Sequence, residues 1–296
     1  MQHPDSASPW WATLQRIVGR IGFGAKGVIY GLVGGMTVAS GAKLDDKEYE
    51  ESPKGAFVMI GDVKSGSGAL FVLLIALWCY SIWRFWECLT YQGRDAKLSN
   101  LGNFFRFRLS PAVSGGVYIA YSYYIVIMLL NNYKNKPPSC YPNCWRETIL
   151  GRTMLVLMGV AFLIACLTQL QNALTKRWHS EINWRRANQK WERWMLLTLG
   201  HIGYLGRAGI FVFVGILEFK ALKHPVSQSG DQIADGLSQL LTSTQGRVAM
   251  IATGLCTLIF GLFCELCVIY RQFPTPPPSG IPWVHKNKHP VLNARH

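Results

Sequence analysis

Charged residues are scarce in this chain of 296 residues, where they make up 16% of the sequence against about a quarter in soluble proteins. This shortage excludes an ordinary soluble domain. Three long stretches have no charged residue at all, namely Leu109–Leu130, Thr153–Leu170 and Val248–Cys264. A helix needs about 20 apolar residues to cross a hydrocarbon core of about 30 Å. These stretches therefore predict membrane-spanning helices.

Recognised catalytic and binding motifs are also absent. The sequence has no hydrolase, kinase, P-loop, dinucleotide or zinc signature, so we predict no enzyme activity, no cofactor and no metal site. An enzyme acting on lipid would need a polar cluster near the headgroups, and His179, Glu181 and His201 have no recognised spacing. The Pro-x-[Asp/Glu]-x-x-[Lys/Arg] motif of mitochondrial carriers is missing too, which excludes that class of transporter.

What the chain does have is an internal repeat. The segment Ile21–Gly34 (IGFGAKGVIYGLVG) returns in altered form as Ile202–Gly215 (IGYLGRAGIFVFVG). A weaker copy places Ser114 where the others have the cations Lys26 and Arg207. Units of about ninety residues, each with two apolar stretches, predict an all-α polytopic membrane protein. Its six transmembrane helices would form three pseudo-repeated hairpins in a pseudo-threefold arrangement.

The repeat divides the chain into six parts. They are an N-terminal tail with interfacial tryptophans (1–15), repeat 1 (16–94), repeat 2 (100–177), a basic, tryptophan-rich interfacial linker (178–198), repeat 3 (199–271) and a disordered, proline-rich basic tail (272–296). The acidic connection 41–55 inside repeat 1 is predicted to be a solvated loop.

Six spans place both termini on one side of the membrane. That side holds the larger share of the 30 Lys and Arg residues and the smaller share of the 16 Asp and Glu residues. The termini are therefore predicted to be cytoplasmic, and anionic lipid headgroups are the expected partners, with a protein partner or a homo-oligomer left open. The cations are spread over separate segments, which disfavours nucleic acid. Cys140 and Cys144 lie in the second outer loop and can form a disulfide if that side is oxidising.

Two sets of residues stand out within the spans. Glycines at helical spacing predict close helix packing, namely Gly27, Gly31, Gly35, Gly254 and Gly261. Four intramembrane charges predict two ion pairs, Lys26–Glu87 and Arg207–Glu265, each joining the helices of its own hairpin. The members of each pair lie at nearly the same depth, about 24–28 Å from the outer end. A lone charge in the bilayer costs about 2.5–3.5 kcal/mol, which favours pairing.

The first copy of the repeat, Arg20–Tyr30, resembles the signature of the membrane protein family called domain of unknown function 1206. That signature is approximately Arg-x-Gly-Tyr-x-Ala-Arg-Gly-Val-x-Tyr, and it recurs as His201–Phe211. The resemblance implies a six-helix integral membrane protein built of three paired units. It implies no activity, because the family has none established.

These observations favour a non-enzymatic membrane protein with a packing or accessory role, in which the charge pairs are structural. The alternative is a small permease or channel, for an ion or coupled to protons. In that case Lys26 and Arg207 would bind an anion, or Glu87 and Glu265 would face a central path and relay protons.

Overall fold

The computed structural model describes residues 9–42, 52–91, 108–130, 148–175, 177–222 and 244–273. Seven α-helices make up most of this part of the chain: α1 (Pro9–Ala42), α2 (Pro53–Gly61), α3 (Gly66–Trp86), α4 (Ser110–Leu130), α5 (Ile149–Thr175), α6 (Lys190–Ala221) and α7 (Thr244–Tyr270). All except α2 are long and apolar enough to cross a membrane. The all-α prediction with six spans is confirmed, and the chain is an integral, multi-pass membrane protein.

The short helix α2 begins within the connection that was predicted to be a solvated loop. The Ser52 hydroxyl accepts a hydrogen bond from the Gly55 backbone N–H at 3.2 Å, and Pro53 takes the first helical position, where its missing N–H costs nothing. Phe57 is fully buried and packs on the ring of Tyr121 in α4, with centroids 5.9 Å apart. The end of this connection is therefore part of the core.

The six long helices pack side by side in the order α4, α3, α1, α7, α6, α5. The most extensive contact joins α1 and α7, which come from the first and third units. The three most extensive contacts between units each join the first helix of one unit to the second helix of another: α1 to α7, α4 to α3 and α6 to α5. This head-to-tail order is the one that a cyclic arrangement of three units requires. The helices α4 and α5 make no comparable contact, so the ring is open between them.

Glycine backbones allow the close approach of α1 and α7. A Cβ atom at Gly254 would lie 2.8 Å from the backbone nitrogen of Val38, and one at Gly261 would lie 2.6 Å from that of Gly31. A Cβ atom at Gly34 would clash with the backbone of α7, whereas one at Gly35 would meet nothing within 4 Å. The packing position on α1 is therefore Gly34 rather than the predicted Gly35.

Several predicted features lie elsewhere or outside the described residues. Helix α1 already begins at Pro9, inside the predicted N-terminal tail, and residues 177–198 are a short 3₁₀ turn, an irregular connection and the start of α6. The linker is therefore not one interfacial helix. Cys140, Cys144 and residues 274–296 lie outside the described residues.

Candidate functional site

Cations and aromatic rings alternate through the interior of the bundle. Arg271 lies over the ring of Phe23 at 4.6 Å, and Lys26 lies over the same ring at 5.4 Å. Lys26 also lies over the ring of Phe260 at 5.3 Å, and Arg207 lies over that ring at 4.7 Å. We call these five side chains the cation–aromatic ladder. It brings together the first unit, the third unit and the segment that follows α7.

Polar side chains of α3 and α4 complete the middle of the ladder. The Lys26 ammonium group donates a hydrogen bond to the Tyr80 hydroxyl at 3.2 Å, and Tyr80 and Ser114 share a hydrogen bond of 3.3 Å. Lys26 is 6% exposed and Tyr80 is 2% exposed. The ring of Tyr118 in α4 packs against the ring of Tyr80, with centroids 4.5 Å apart. The three equivalent positions of the repeat, Lys26, Ser114 and Arg207, thus point toward one centre.

The predicted ion pairs Lys26–Glu87 and Arg207–Glu265 are not the contacts that the structure contains. Glu87 accepts a charge-assisted hydrogen bond from Arg84 one turn away on its own helix, at 2.5 Å. The Glu265 carboxylate lies against Gly27 of α1, on the exposed side of the α1–α7 contact. Lys26 and Arg207 contact aromatic rings instead. The prediction that these charges join the two helices of each hairpin is therefore wrong.

A difference in register explains why Glu87 and Glu265 are not equivalent. Gly22 of α1 packs on Tyr80 of α3, and the corresponding Gly203 of α6 packs on Phe260 of α7. This correspondence places Glu265 opposite Phe85, two residues before Glu87. Two residues amount to about 200° around a helix axis. As a result Glu87 is buried inside the bundle, whereas Glu265 lies toward the outside.

In the described part of the chain, one ion pair joins separate elements, at the end of the bundle near residues 9 and 273. Arg271 and Glu181 are 2.7 Å apart, and their side chains are 8% and 21% exposed. The Glu181 backbone carbonyl accepts a hydrogen bond from the Gln272 N–H at 2.8 Å, and Asn183 N–H donates to Tyr270 at 2.7 Å. The pair therefore fastens the connection before α6 to the end of α7.

The tryptophans of this connection divide into two groups. Trp178 is 2% exposed and packs edge-on against Phe263, with ring centroids 5.1 Å apart. Trp191 and Trp194 are largely exposed on the first turns of α6. Trp178 therefore belongs to the core, whereas Trp191 and Trp194 have the exposure expected of side chains at the membrane interface.

Two of the three polar residues considered for lipid chemistry have other polar partners. The rings of His179 and His201 have centroids 5.9 Å apart, but Nδ1 of His201 lies 2.8 Å from the carbonyl oxygen of Ala173, and Glu181 pairs with Arg271. Within the described ranges, no group of three or more His, Cys, Asp and Glu residues is arranged to bind a metal.

A local pattern in the sequence indicates the cation–aromatic ladder, although the prediction of ion pairs did not take it into account. Aromatic residues flank both cations at helical spacing, with Phe23 and Tyr30 around Lys26, and Tyr204 and Phe211 around Arg207. Residues three and four apart share a helix face. Arg207 lies over the rings of Tyr30 and Phe211 at 5.2 and 4.9 Å. This pattern indicates cations surrounded by rings.

The comparison with known families agrees with the repeated architecture. Residues 21–90 and 202–271 match the profile of the family described as Domain of Unknown Function (DUF1206). These segments cover most of α1 with α2 and α3, and most of α6 with α7, which belong to the two units that contain the cations. No curated protein and no solved structure matches the chain. The chain therefore contains two segments, one in its first unit and one in its third, that match the repeat of the DUF1206 family.

Proposed function

We propose that this protein is a non-enzymatic membrane protein that binds an anion at its centre, between Lys26 and Arg207. The observation behind the proposal is that two cations from different units, the buried Lys26 and the half-buried Arg207, share the ring of Phe260. Neither contacts a carboxylate among the described residues.

Unused hydrogen-bond donors support this proposal. An ammonium group has three donors, and Tyr80 is the one acceptor that Lys26 reaches among the described residues. The Nε atom of Arg207 is buried with no hydrogen-bond partner. A cation over an aromatic face gains about 2 kcal/mol when desolvated, but a ring accepts no strong hydrogen bond. An anion would satisfy these donors and reduce the repulsion between the two charges.

The chemistry of the centre favours binding over catalysis. Cations, phenol groups and apolar rings surround it, and no carboxylate or histidine contacts Lys26 or Arg207 in the described part of the chain. General acid–base catalysis uses such groups within hydrogen-bond reach of the substrate. We accordingly propose an accessory, ligand-binding role rather than an enzymatic one.

Anion binding should depend on both central cations. We expect Lys26→Gln and Arg207→Gln each to weaken it about 30-fold or more, because losing one partner of a buried charge pair costs at least about 2 kcal/mol. The measurement is the rise in melting temperature of the detergent-purified protein with chloride, sulfate and phosphate at constant ionic strength.

The matched control is Lys64→Gln, which removes an exposed lysine from the turn between α2 and α3. It should respond to anions as the unaltered protein does. The proposal would be contradicted if the anions raised the melting temperature equally in the unaltered protein and all three variants. It would also be contradicted if they raised the melting temperature of none of them.

A permease or channel for an anion is the second candidate. The observation that favours it is the length of the ladder, which continues from Arg207 through Lys26 to Arg271 at one end of the bundle. Lys26 and Arg207 offer an anion two successive positions, and Arg271, which is paired with Glu181, extends the row of cations to the end of the bundle. Glu265 lies outside the centre, so the path of this candidate does not include it.

Flux through liposomes separates the two candidates. We expect a permease to pass a radiolabelled anion in proportion to the protein added, with the flux lost in Arg207→Gln and retained in Lys64→Gln. The reason is that the ladder loses one of its three cations in the first variant alone. Anion-dependent stabilisation without flux would leave the accessory role as the function.

The orientation and lipid partners form part of the same proposal. We place the end of the bundle near residues 9 and 273 on the cytoplasmic side of the membrane. There Arg20, Arg186 and other cations of this end would meet anionic headgroups. The excess of basic residues on this side of the sequence supports that placement. No nucleic acid partner is proposed, and a homo-oligomer would add contacts to the exposed apolar helices.

A further inference from the structure

A carboxylate occupies the membrane-facing side of the α1–α7 contact. Glu265 lies inside the span Thr244–Tyr270 and is exposed on the surface of the bundle. Leu262 and Ile269, three residues before and four residues after it, are 49% and 54% exposed. Residues at this spacing share a helix face. Glu265 is therefore the acidic member of an apolar face that points toward lipid.

The glycines of α1 form the surface on which this side chain rests. The carboxyl group touches Gly27, and its second oxygen would lie 4.0 Å from a Cβ atom at Gly24. Any side chain at Gly27 would displace the carboxyl group. The Val268 side chain is the other neighbour at Gly24. Hard cations take several oxygen ligands, and these neighbours are carbon atoms.

The equivalent contact between the other units uses an apolar side chain. Gly115 of α4 corresponds to Gly27, and the ring of Phe85 packs on it, 3.0 Å from a Cβ atom built there. The same helix–helix contact thus forms with phenylalanine in one place and with glutamate in another. Packing explains the size of the side chain at this position but not its carboxyl group.

Among the described residues, no cation forms an ion pair with Glu265. On α1 and α6, which pack against α7, Lys26 and Arg207 lie over the rings of the ladder. Tyr30 and Tyr204 pack on Phe260, and His201 contacts the carbonyl oxygen of Ala173. Cys264, on α7 itself, is buried. Arg20 lies nearer the end of α1, and Arg186 donates a hydrogen bond to the Ile269 carbonyl at 2.9 Å. None of them forms an ion pair with Glu265 within the described ranges. An ionised carboxylate in apolar surroundings is unfavourable, and taking up a proton removes the charge.

We propose that Glu265 is a proton-binding carboxyl group on the lipid-facing surface, held in place by the glycines of α1. At neutral pH it holds a proton on one carboxyl oxygen and exchanges that proton with water at the nearby end of α7. This site is separate from the central anion site, and either can exist without the other.

A hydrophobic carbodiimide tests this directly, because it partitions into lipid and reacts with protonated carboxyl groups. The carboxyl proton moves to a carbodiimide nitrogen, the carboxylate oxygen bonds to the central carbon, and the adduct rearranges to a stable N-acylurea. Dicyclohexylcarbodiimide is added to the full-length protein in liposomes, and peptide mass spectrometry measures the modified fraction at each glutamate.

We expect Glu265 to be labelled at neutral pH and labelling to fall as the pH rises. Glu87 is the internal control, because it is 6% exposed and contacts Arg84. Labelling of Glu265 should exceed that of Glu87 by about tenfold or more, because the buried carboxylate of Glu87 is held by a charge-assisted hydrogen bond from Arg84. The adduct should vanish in Glu265→Gln.

A packing control separates failure to fold from failure of the proposal. Glu265→Phe copies the Phe85–Gly115 contact, so it should melt like the unaltered protein and keep its response to anions while losing the adduct. An unlabelled Glu265 in folded protein would overturn the proposal. Equal labelling by a water-soluble carbodiimide would overturn it as well, since the group would then face water.

Discussion

Replacing Gly34 by leucine is expected to destabilise the protein by about 3 kcal/mol, the upper part of the range for overpacked contacts. The new Cβ atom would meet the backbone nitrogen of Leu258 and would lie 2.8 Å from the carbonyl oxygen of Gly254. Backbone atoms of a packed helix cannot rotate away as a side chain can. Helices α1 and α7 must therefore move apart along the most extensive contact in the bundle.

The neighbouring Gly35 supplies the matched control, because a Cβ atom there meets nothing within 4 Å. Gly35→Leu should be neutral or stabilising by up to about 1 kcal/mol, the gain in helix propensity over glycine. Unfolding in detergent, followed by far-UV circular dichroism, gives both free energies. Equal stability of the two variants would show that α1 and α7 do not approach through Gly34.

Loss of the Glu181 carboxylate should be the second large effect. Breaking a buried ion pair costs about 3–5 kcal/mol, and Glu181→Ala should fall at the lower end because 21% of that side chain is exposed. Arg271 would keep its charge in a site that is 8% exposed, over the rings of Phe23 and Trp83. The connection before α6 should loosen from the end of α7, which hydrogen exchange at Asn183 and Gln272 would detect.

Two further variants make this result specific. Glu265→Gln removes an acid at the same end that forms no ion pair with any described residue, so the free energy of unfolding of this variant should change by no more than about 0.5 kcal/mol. Adding Arg271→Met to Glu181→Ala should recover part of the lost stability, because the uncompensated charge is removed. If the double variant loses the sum of the two single effects, the residues do not act as a pair.

The spans and the class of fold followed from local features of the sequence. A spanning helix is recorded in the length of one apolar run, and the stretch Leu109–Leu130 matches α4 (Ser110–Leu130) almost residue for residue. The repeat likewise needs only the comparison of Ile21–Gly34 with Ile202–Gly215, and it led to the same family that the profile identifies. The spans and the repeat can both be predicted without knowing which helices pack against each other.

The partners of the charged residues depended on helix rotation and on the order of the ring. Pairing Lys26 with Glu87 assumed that cation and acid of one hairpin face each other. A shift of two residues in the match between α3 and α7 turns Glu265 outward, and it leaves no trace in the composition of either helix. The aromatic residues around Lys26 and Arg207 are spaced so that they share a helix face with the cation. This local spacing indicates aromatic rings as the neighbours of both cations.

The sequence by itself therefore determined the six spans, the repeat, the family and the positions of the intramembrane charges, all of which are properties of single helices. Only the tertiary structure decided that Phe260 lies between Lys26 and Arg207, that Arg271 pairs with Glu181, and that the ring is open between α4 and α5. These features depend on contacts between residues far apart in the chain. Such contacts are fixed by glycine-sized gaps and helix rotation, which a pattern of apolar residues does not record.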